Sequence, residues 1–186
     1  MEKEKLLETE QLTEKQKLLS YFFTYSFLGW ILETVFCVLT LGVFNKRGFL
    51  YGPVCPIYGF GALILIESLK KIKTNSIGKF FISMVAFTIF EYVVSVVLES
   101  LFGLRWWDYT GEPFNFQGRI SLAYSIAWGI IGVIFVEKIH PFVKKQLEKI
   151  SAKIPNKVQV GLLILFLAII IVDFILSITK YSIGLY

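Results

Sequence analysis

Five apolar runs are separated by polar stretches along the chain. They fall at about 21–44, 56–66, 80–102, 120–136 and 160–178. A helix needs roughly 20 mostly apolar residues to cross a hydrocarbon layer about 30 Å thick. The runs fit that rule with few charges in each, except the second. That one, from Pro56 to Ile66, is short unless Phe49–Cys55 also enters the membrane. The pattern predicts an all-α protein: one transmembrane domain over 20–186, built as a bundle of about five transmembrane helices.

Three polar stretches carry patterns of their own. Residues 1–19 set Leu6, Leu7, Leu12, Leu18 and Leu19 among Glu and Lys, which predicts an amphipathic segment in solvent or at the interface. Between Glu137 and Lys157, Ile139, Val143, Leu147, Ile150 and Ile154 recur at helical spacing with lysines between them. That is a basic amphipathic helix lying on a membrane surface, either anchoring to anionic lipid or docking a cytoplasmic partner. The stretch Asn45–Gly59 is rich in Gly and Pro, so it is no regular helix, yet it is too apolar for a free loop. A re-entrant or cavity-lining segment fits it, since irregular backbone at membrane depth must be covered by protein or face a cavity.

Composition agrees. The 186 residues are 55% hydrophobic and 18% charged, and mean hydropathy is +0.66. A soluble domain carries about 25% charged residues. The net charge of +5 forms no continuous patch, which excludes nucleic acid as a partner. Residues 1–17 lack the apolar core of a signal peptide, so the first run is expected to act as an uncleaved anchor. Lysines cluster in the N-terminal segment, around 70–79 and in 138–157. These hold 14 of the 19 Lys and Arg; Lys46, Arg47, Arg105, Arg119 and Lys180 fall on the other side. By the positive-inside rule the first side is cytoplasmic, with the N-terminus inside, the C-terminus outside and the chain multi-pass in the cell membrane.

Ionisable residues inside an apolar span are costly and usually face a bundle interior or a cavity. This chain has Glu33, Glu91, Glu99 and Asp173. At about 1.5 Å per residue all four fall at mid-membrane or in the outer half. Carboxylates from separate helices at one depth suggest a shared, outward-facing polar pocket. Glu91, Ser95 and Glu99 lie at i, i+4 and i+8, so they share a helix face. Arg47 and Arg119, in the two outer loops, are the expected counter-charges, unless they contact lipid headgroups. Asp173 is the weakest member and fits a helix–helix hydrogen bond. Gly29, Gly129 and Gly132 suit close helix packing. Cys37 and Cys55 both fall toward the outer side, and a disulfide and two buried free thiols both fit them. The chain has no metal-ligand motif, no cofactor motif and no GxxxxGK[ST] phosphate loop. His140 lies on the cytoplasmic side, away from the acids, which argues against a Ser–His–Asp triad.

Several longer motifs carry a resemblance. They are Phe27-Leu28-Gly29-Trp30 with Glu33, Arg47-Gly48-Phe49-Leu50-Tyr51-Gly52-Pro53, and Cys55-Pro56-Ile57-Tyr58-Gly59. Trp107-Asp108-Tyr109, Asn115, Gly118-Arg119 and Trp128-Gly129 complete the set. Over about Phe22–Pro141 the chain resembles the bacterial "Putative ABC-transporter type IV" (CmpB-like) family. The resemblance implies membrane location and a permease-like role, without a known substrate or established active residues. Together with the acids, these motifs give the candidate ligand-binding set: Glu33, Arg47, Tyr51, Cys55, Tyr58, Glu91, Glu99, Asp108, Asn115, Arg119 and Trp128.

The expected function is a transport component whose polar pocket takes a small polar or cationic ligand. A separate cytoplasmic ATPase would dock at 138–157, and five short spans call for a homo-oligomer or hetero-complex. Two alternatives stand beside it: a membrane-embedded enzyme using its carboxylates as general acid and base on a lipid-linked or small polar substrate, and a non-catalytic scaffold or sensor.

Overall fold

Polar residues punctuate the helices. In the computed structural model, which describes residues 12–42, 44, 48–70 and 72–182, Thr13 caps the first helix, α1 (Glu14–Leu41). Its Oγ1 accepts from the Gln16 N–H at 3.3 Å, and the Gln16 side chain accepts from the Thr13 N–H at 2.8 Å. This reciprocal cap satisfies two amide donors that a helix start leaves open. Residues 14–19, assigned from sequence to an amphipathic segment, are the first turns of α1, because nothing between them and Leu41 breaks the helix. Residues 1–11, and Asn45, Lys46 and Arg47, lie outside the described residues.

After α2 (Pro56–Lys70), Asn75 caps α3 (Ser76–Phe102) by accepting from the Gly78 N–H at 3.0 Å. Gly103, at φ +67°, ends α3 in the left-handed region that glycine adopts without strain. A hairpin follows, with β1 (Asn115–Phe116) antiparallel to β2 (Ile120–Ser121). Then come α4 (Leu122–Ile134), a π-helical turn over Phe135–Ile139, α5 (His140–Ser151) and α6 (Asn156–Ser182).

The fourth apolar run and the basic segment were expected as separate helices. They form one continuous helix, Leu122–Ser151. Pro141 explains the π turn. A proline ring inside a helix crowds the carbonyl four residues back, here that of Glu137, and the widened turn relieves it. Among the described residues four helices are long and apolar enough to cross a membrane: α1, α3, α4 through α5, and α6. The α2 helix is shorter, and residues 48–55 are irregular backbone. The protein is an all-α, multi-pass membrane bundle.

The chain forms two compact units, residues 1–63 with 145–186, and residues 64–144. In the first unit α1 packs closely on the start of α2. Gly29 lies against the Tyr58 ring, and Gly59 lies against Ser26 and Phe22. The Cys55 N–H donates to the Ser26 carbonyl at 2.9 Å. Phe23 of α1 meets Phe166 of α6 at a centroid distance of 5.9 Å. Gln159 ties the turn between α5 and α6, donating to the carbonyls of Ser151 and Ile154 and accepting from Ser151 Oγ. In the second unit α3 and α4 meet through small residues. Gly129 faces Phe80, Gly132 faces Ser83, and Thr88 Oγ1 donates to Ser125 Oγ at 2.8 Å. Small residues let helix backbones approach where burial from water supplies no drive between helices. The large side chains point outward instead: Leu39, Phe36, Ile89 and Leu101 are all well exposed, as lipid-facing positions should be.

A β-carbon at Gly132 would overlap Ser83, whereas one at Gly161 meets nothing within 4 Å. Gly132→Val is therefore expected to destabilise the protein by roughly 1–3 kcal/mol, the usual range for overpacking. Gly161→Ala should be neutral or stabilising by up to about 1 kcal/mol, since helical glycine is unfavourable. Thermal unfolding of the two variants in detergent checks both.

Candidate functional site

Helical spacing puts Glu91, Ser95 and Glu99 on one face of α3. The second unit lays the segment 104–119 over that face. The segment is held by its own polar residues. The Asp108 carboxylate accepts from the Thr110 N–H at 2.9 Å and from Thr110 Oγ1 at 2.5 Å, bonds that hold it below the usual carboxylate range. Asn115 accepts from the Gly118 N–H and donates to the carbonyls of Thr110 and Glu112. The Tyr109 N–H donates to the Gly118 carbonyl at 2.7 Å, and Trp107 Nε1 donates to the Arg119 carbonyl at 2.9 Å. Gln117 and Gly118 both take positive φ, 55° and 66°, the geometry of a tight hairpin turn. Asp108 and Asn115 thus build the loop.

The loop brings three groups onto the α3 stripe. Glu91 is only 7% exposed. Its Oε1 accepts from the Tyr109 hydroxyl at 2.9 Å and its Oε2 from Trp128 Nε1 of α4 at 3.2 Å. Burial, then the Glu91 charge, pushes the Tyr109 phenol well above its ordinary value, so the hydroxyl stays a donor. Tyr109 stacks on Tyr124 at 4.3 Å, and Trp128 lies 5.3 Å from Phe87. Two turns along, Glu99 is paired with both arginines of the loop. Arg119 Nη2 lies 2.5 Å from Glu99 Oε2, and Arg105 Nε donates to Glu99 Oε1 at 3.1 Å. Between the two acids, Ser95 Oγ accepts from Arg119 Nη1 at 3.1 Å. The Arg119 Nε–H is buried with no acceptor among the described residues.

The arrangement separates the two acids electrically. Arg119 meets Glu99, while the donors to Glu91 among the described residues are neutral. Among the described residues no Lys or Arg forms an ion pair with Glu91. A buried carboxylate without a counter-charge is expensive, and that cost is relieved either by a proton or by a cation.

The first unit holds the other two acids. The Tyr58 hydroxyl of α2 donates to Glu33 of α1 at 2.5 Å. Asp173 of α6 does more than the helix–helix hydrogen bond expected of it. Its Oδ1 accepts from the Tyr51 N–H and its Oδ2 from the Gly52 N–H, each at 2.7 Å, and Ser177 Oγ donates to Oδ1 at 3.2 Å. It thereby holds the irregular segment 48–55 against α6. Tyr51 is half exposed beside a shallow open groove, whereas Cys55 is buried at the head of α2. Cys37 and Cys55 are both buried and form no disulfide among the described residues. Arg47 lies outside the described residues. Among the described residues no group of three or more His, Cys, Asp or Glu is placed to hold a metal ion.

Tyr109 and Arg105 were not in the candidate set, yet both bind the acidic stripe. The signal for Tyr109 was present: it ends the Trp107-Asp108-Tyr109 motif, next to a helix carrying an unpaired buried acid. If Arg119 serves Glu99 and not Glu91, exchanging the charges as Glu99→Arg with Arg119→Glu should recover part of the thermal stability lost in either single variant. The exchange of Glu91 with Arg119 should recover none. Tyr109→Phe, which removes one donor from a buried carboxylate, should cost about 1.5–3 kcal/mol. Melting curves of the purified variants decide each case.

The chain was compared with known proteins. A search of curated proteins finds no match, and neither does a search of solved structures. One family model matches residues 20–178, which runs past the motif-bearing region and through most of α6. That is most of the chain, and the protein belongs to the family described as "Putative ABC-transporter type IV".

Proposed function

We propose that this protein is the membrane-embedded, permease-like component of a transport system, and that the site around Glu91 takes a small cationic or zwitterionic ligand. The observation that carries this reading is the Glu91 carboxylate, buried and served among the described residues by the Tyr109 hydroxyl and the Trp128 indole. A ligand ammonium would supply the missing positive charge. The neighbouring rings of Tyr109, Tyr124, Trp128 and Phe87 suit it, because aromatic faces attract cations. The spare Arg119 Nε–H offers a donor to an acceptor group on the same ligand. Family membership supports the transport role.

The chain carries no phosphate loop of its own, so nucleotide hydrolysis would fall to a separate cytoplasmic ATPase. The basic stretch 138–157 is the docking element we assign to it. The lysine distribution favours placing that stretch and the N-terminus in the cytoplasm, with the 104–119 loop outside. Assembly as an oligomer or with a second membrane subunit would supply the enclosed path that a chain of this size lacks.

Choline, putrescine and glycine betaine serve as probes. One of them is expected to stabilise the purified protein against heat, by about 2.7 kcal/mol at a hundred times its dissociation constant. Glu91→Gln should abolish that gain while Asp108→Asn keeps it. Stabilisation of Glu91→Gln equal to that of the parent protein, or by none of the three probes in either, would remove the basis for a cation site.

A further inference from the structure

Beyond the Glu91 site, the first unit carries a second feature that transport of a small ligand does not use. A shallow groove of about 380 Å³ runs along α6, lined by Ala168, Ile169, Val172, Asp173, Leu176 and Tyr51. Ala168, Val172 and Leu176 are spaced by four residues, so they form one stripe on the helix. Its floor is apolar and open: Ile169 is 52% exposed, Val172 56% and Leu176 55%. Its wall is built, because Asp173 accepts from the backbone N–H groups of Tyr51 and Gly52 and so fixes Tyr51 beside the helix. Phe49, stacked on Tyr181 at 5.0 Å, braces the same segment from behind.

Lys180 continues the stripe one turn past Leu176, in the last turn of α6. Its ammonium lies 5.5 Å from the centre of the Tyr51 ring and 5.0 Å from that of Tyr181. No carboxylate among the described residues forms an ion pair with it. Contact with ring faces leaves N–H donors on the ammonium for an anion. An apolar channel open to hydrocarbon, ending at a cation that has no ion-pair partner among the described residues, matches one chemistry: an acyl chain joined to a negatively charged headgroup.

We propose that this groove is a binding site for one anionic glycerophospholipid, with an acyl chain along Ala168, Val172 and Leu176 and the phosphate on Lys180. The geometry distinguishes it from ordinary boundary lipid in two ways. The wall at Tyr51 is held by Asp173, and the charge selects an anion over a zwitterion. Near an anionic membrane surface a single lysine contributes about 1 kcal/mol, so preference for the anionic lipid should be roughly five-fold.

The test is native mass spectrometry of the full chain after reconstitution in discs of equal phosphatidylglycerol and phosphatidylcholine. One retained phosphatidylglycerol, in about five-fold excess over phosphatidylcholine, is the expected result. Lys180→Gln should bring the two lipids to parity. Leu176→Trp, which fills the floor, should lose the retained lipid of both kinds, with circular dichroism confirming an intact helical protein. A parent protein that retains both lipids equally would overturn the proposal. So would a Lys180→Gln protein that keeps its excess, or a groove found covered by a second copy of the chain, seen as a dimer that Leu176→Trp dissociates with no change in bound lipid.

Discussion

Each acid set into these apolar helices is met by a donor from elsewhere in its own unit. Glu33 receives the Tyr58 hydroxyl, and Asp173 receives two consecutive backbone N–H groups of segment 48–55. Glu99 receives two arginines, and Glu91 receives a phenol and an indole. The constraint behind this is the cost of removing a charge from water, which far exceeds the gain of any single apolar contact. A helix carrying such an acid must recruit a partner, and that recruitment fixes where the irregular segments lie. Segment 48–55 sits on α6 because Asp173 needs its amides. Segment 104–119 sits on α3 because Glu91 and Glu99 need Tyr109, Arg105 and Arg119.

Helix packing follows a different rule. Between helices that face lipid, burying another leucine gains little, since hydrocarbon is as apolar as the leucine. The contacts therefore rest on small residues, Gly59 against Ser26 in one unit and Gly132 against Ser83 in the other. The outward faces keep the large side chains, and α6 is the extreme case, with most of its apolar residues exposed.

The partner rule is met to different degrees at the two acids of α3. Glu99 is neutralised by arginine and reads as the strut that holds the loop. Glu91, two turns away on the same face, is satisfied in hydrogen bonds but not in charge. That difference is why Glu91 is the position we propose for recognising a cationic guest. The π turn ahead of Pro141 marks another departure from regularity, at the passage from the apolar α4 to the basic α5.

The class of protein was legible from apolar patterning alone. Apolar run length and the scarcity of charge act locally, so the helices and their membrane setting could be read residue by residue. The i, i+4, i+8 spacing of Glu91, Ser95 and Glu99 was legible for the same reason. Element limits were less so: α1 starts seven residues before the apolar run at Tyr21, and α4 continues into the basic segment, because polar residues extend a helix whenever no cap or proline stops it. Which donor meets which acid was not legible in that way and is set by the folded chain. Tyr51 and Asp173 are 122 residues apart, and Glu91 and Trp128 are 37 apart. Such pairings depend on how a loop folds back over a helix, and local patterning carries no record of that register.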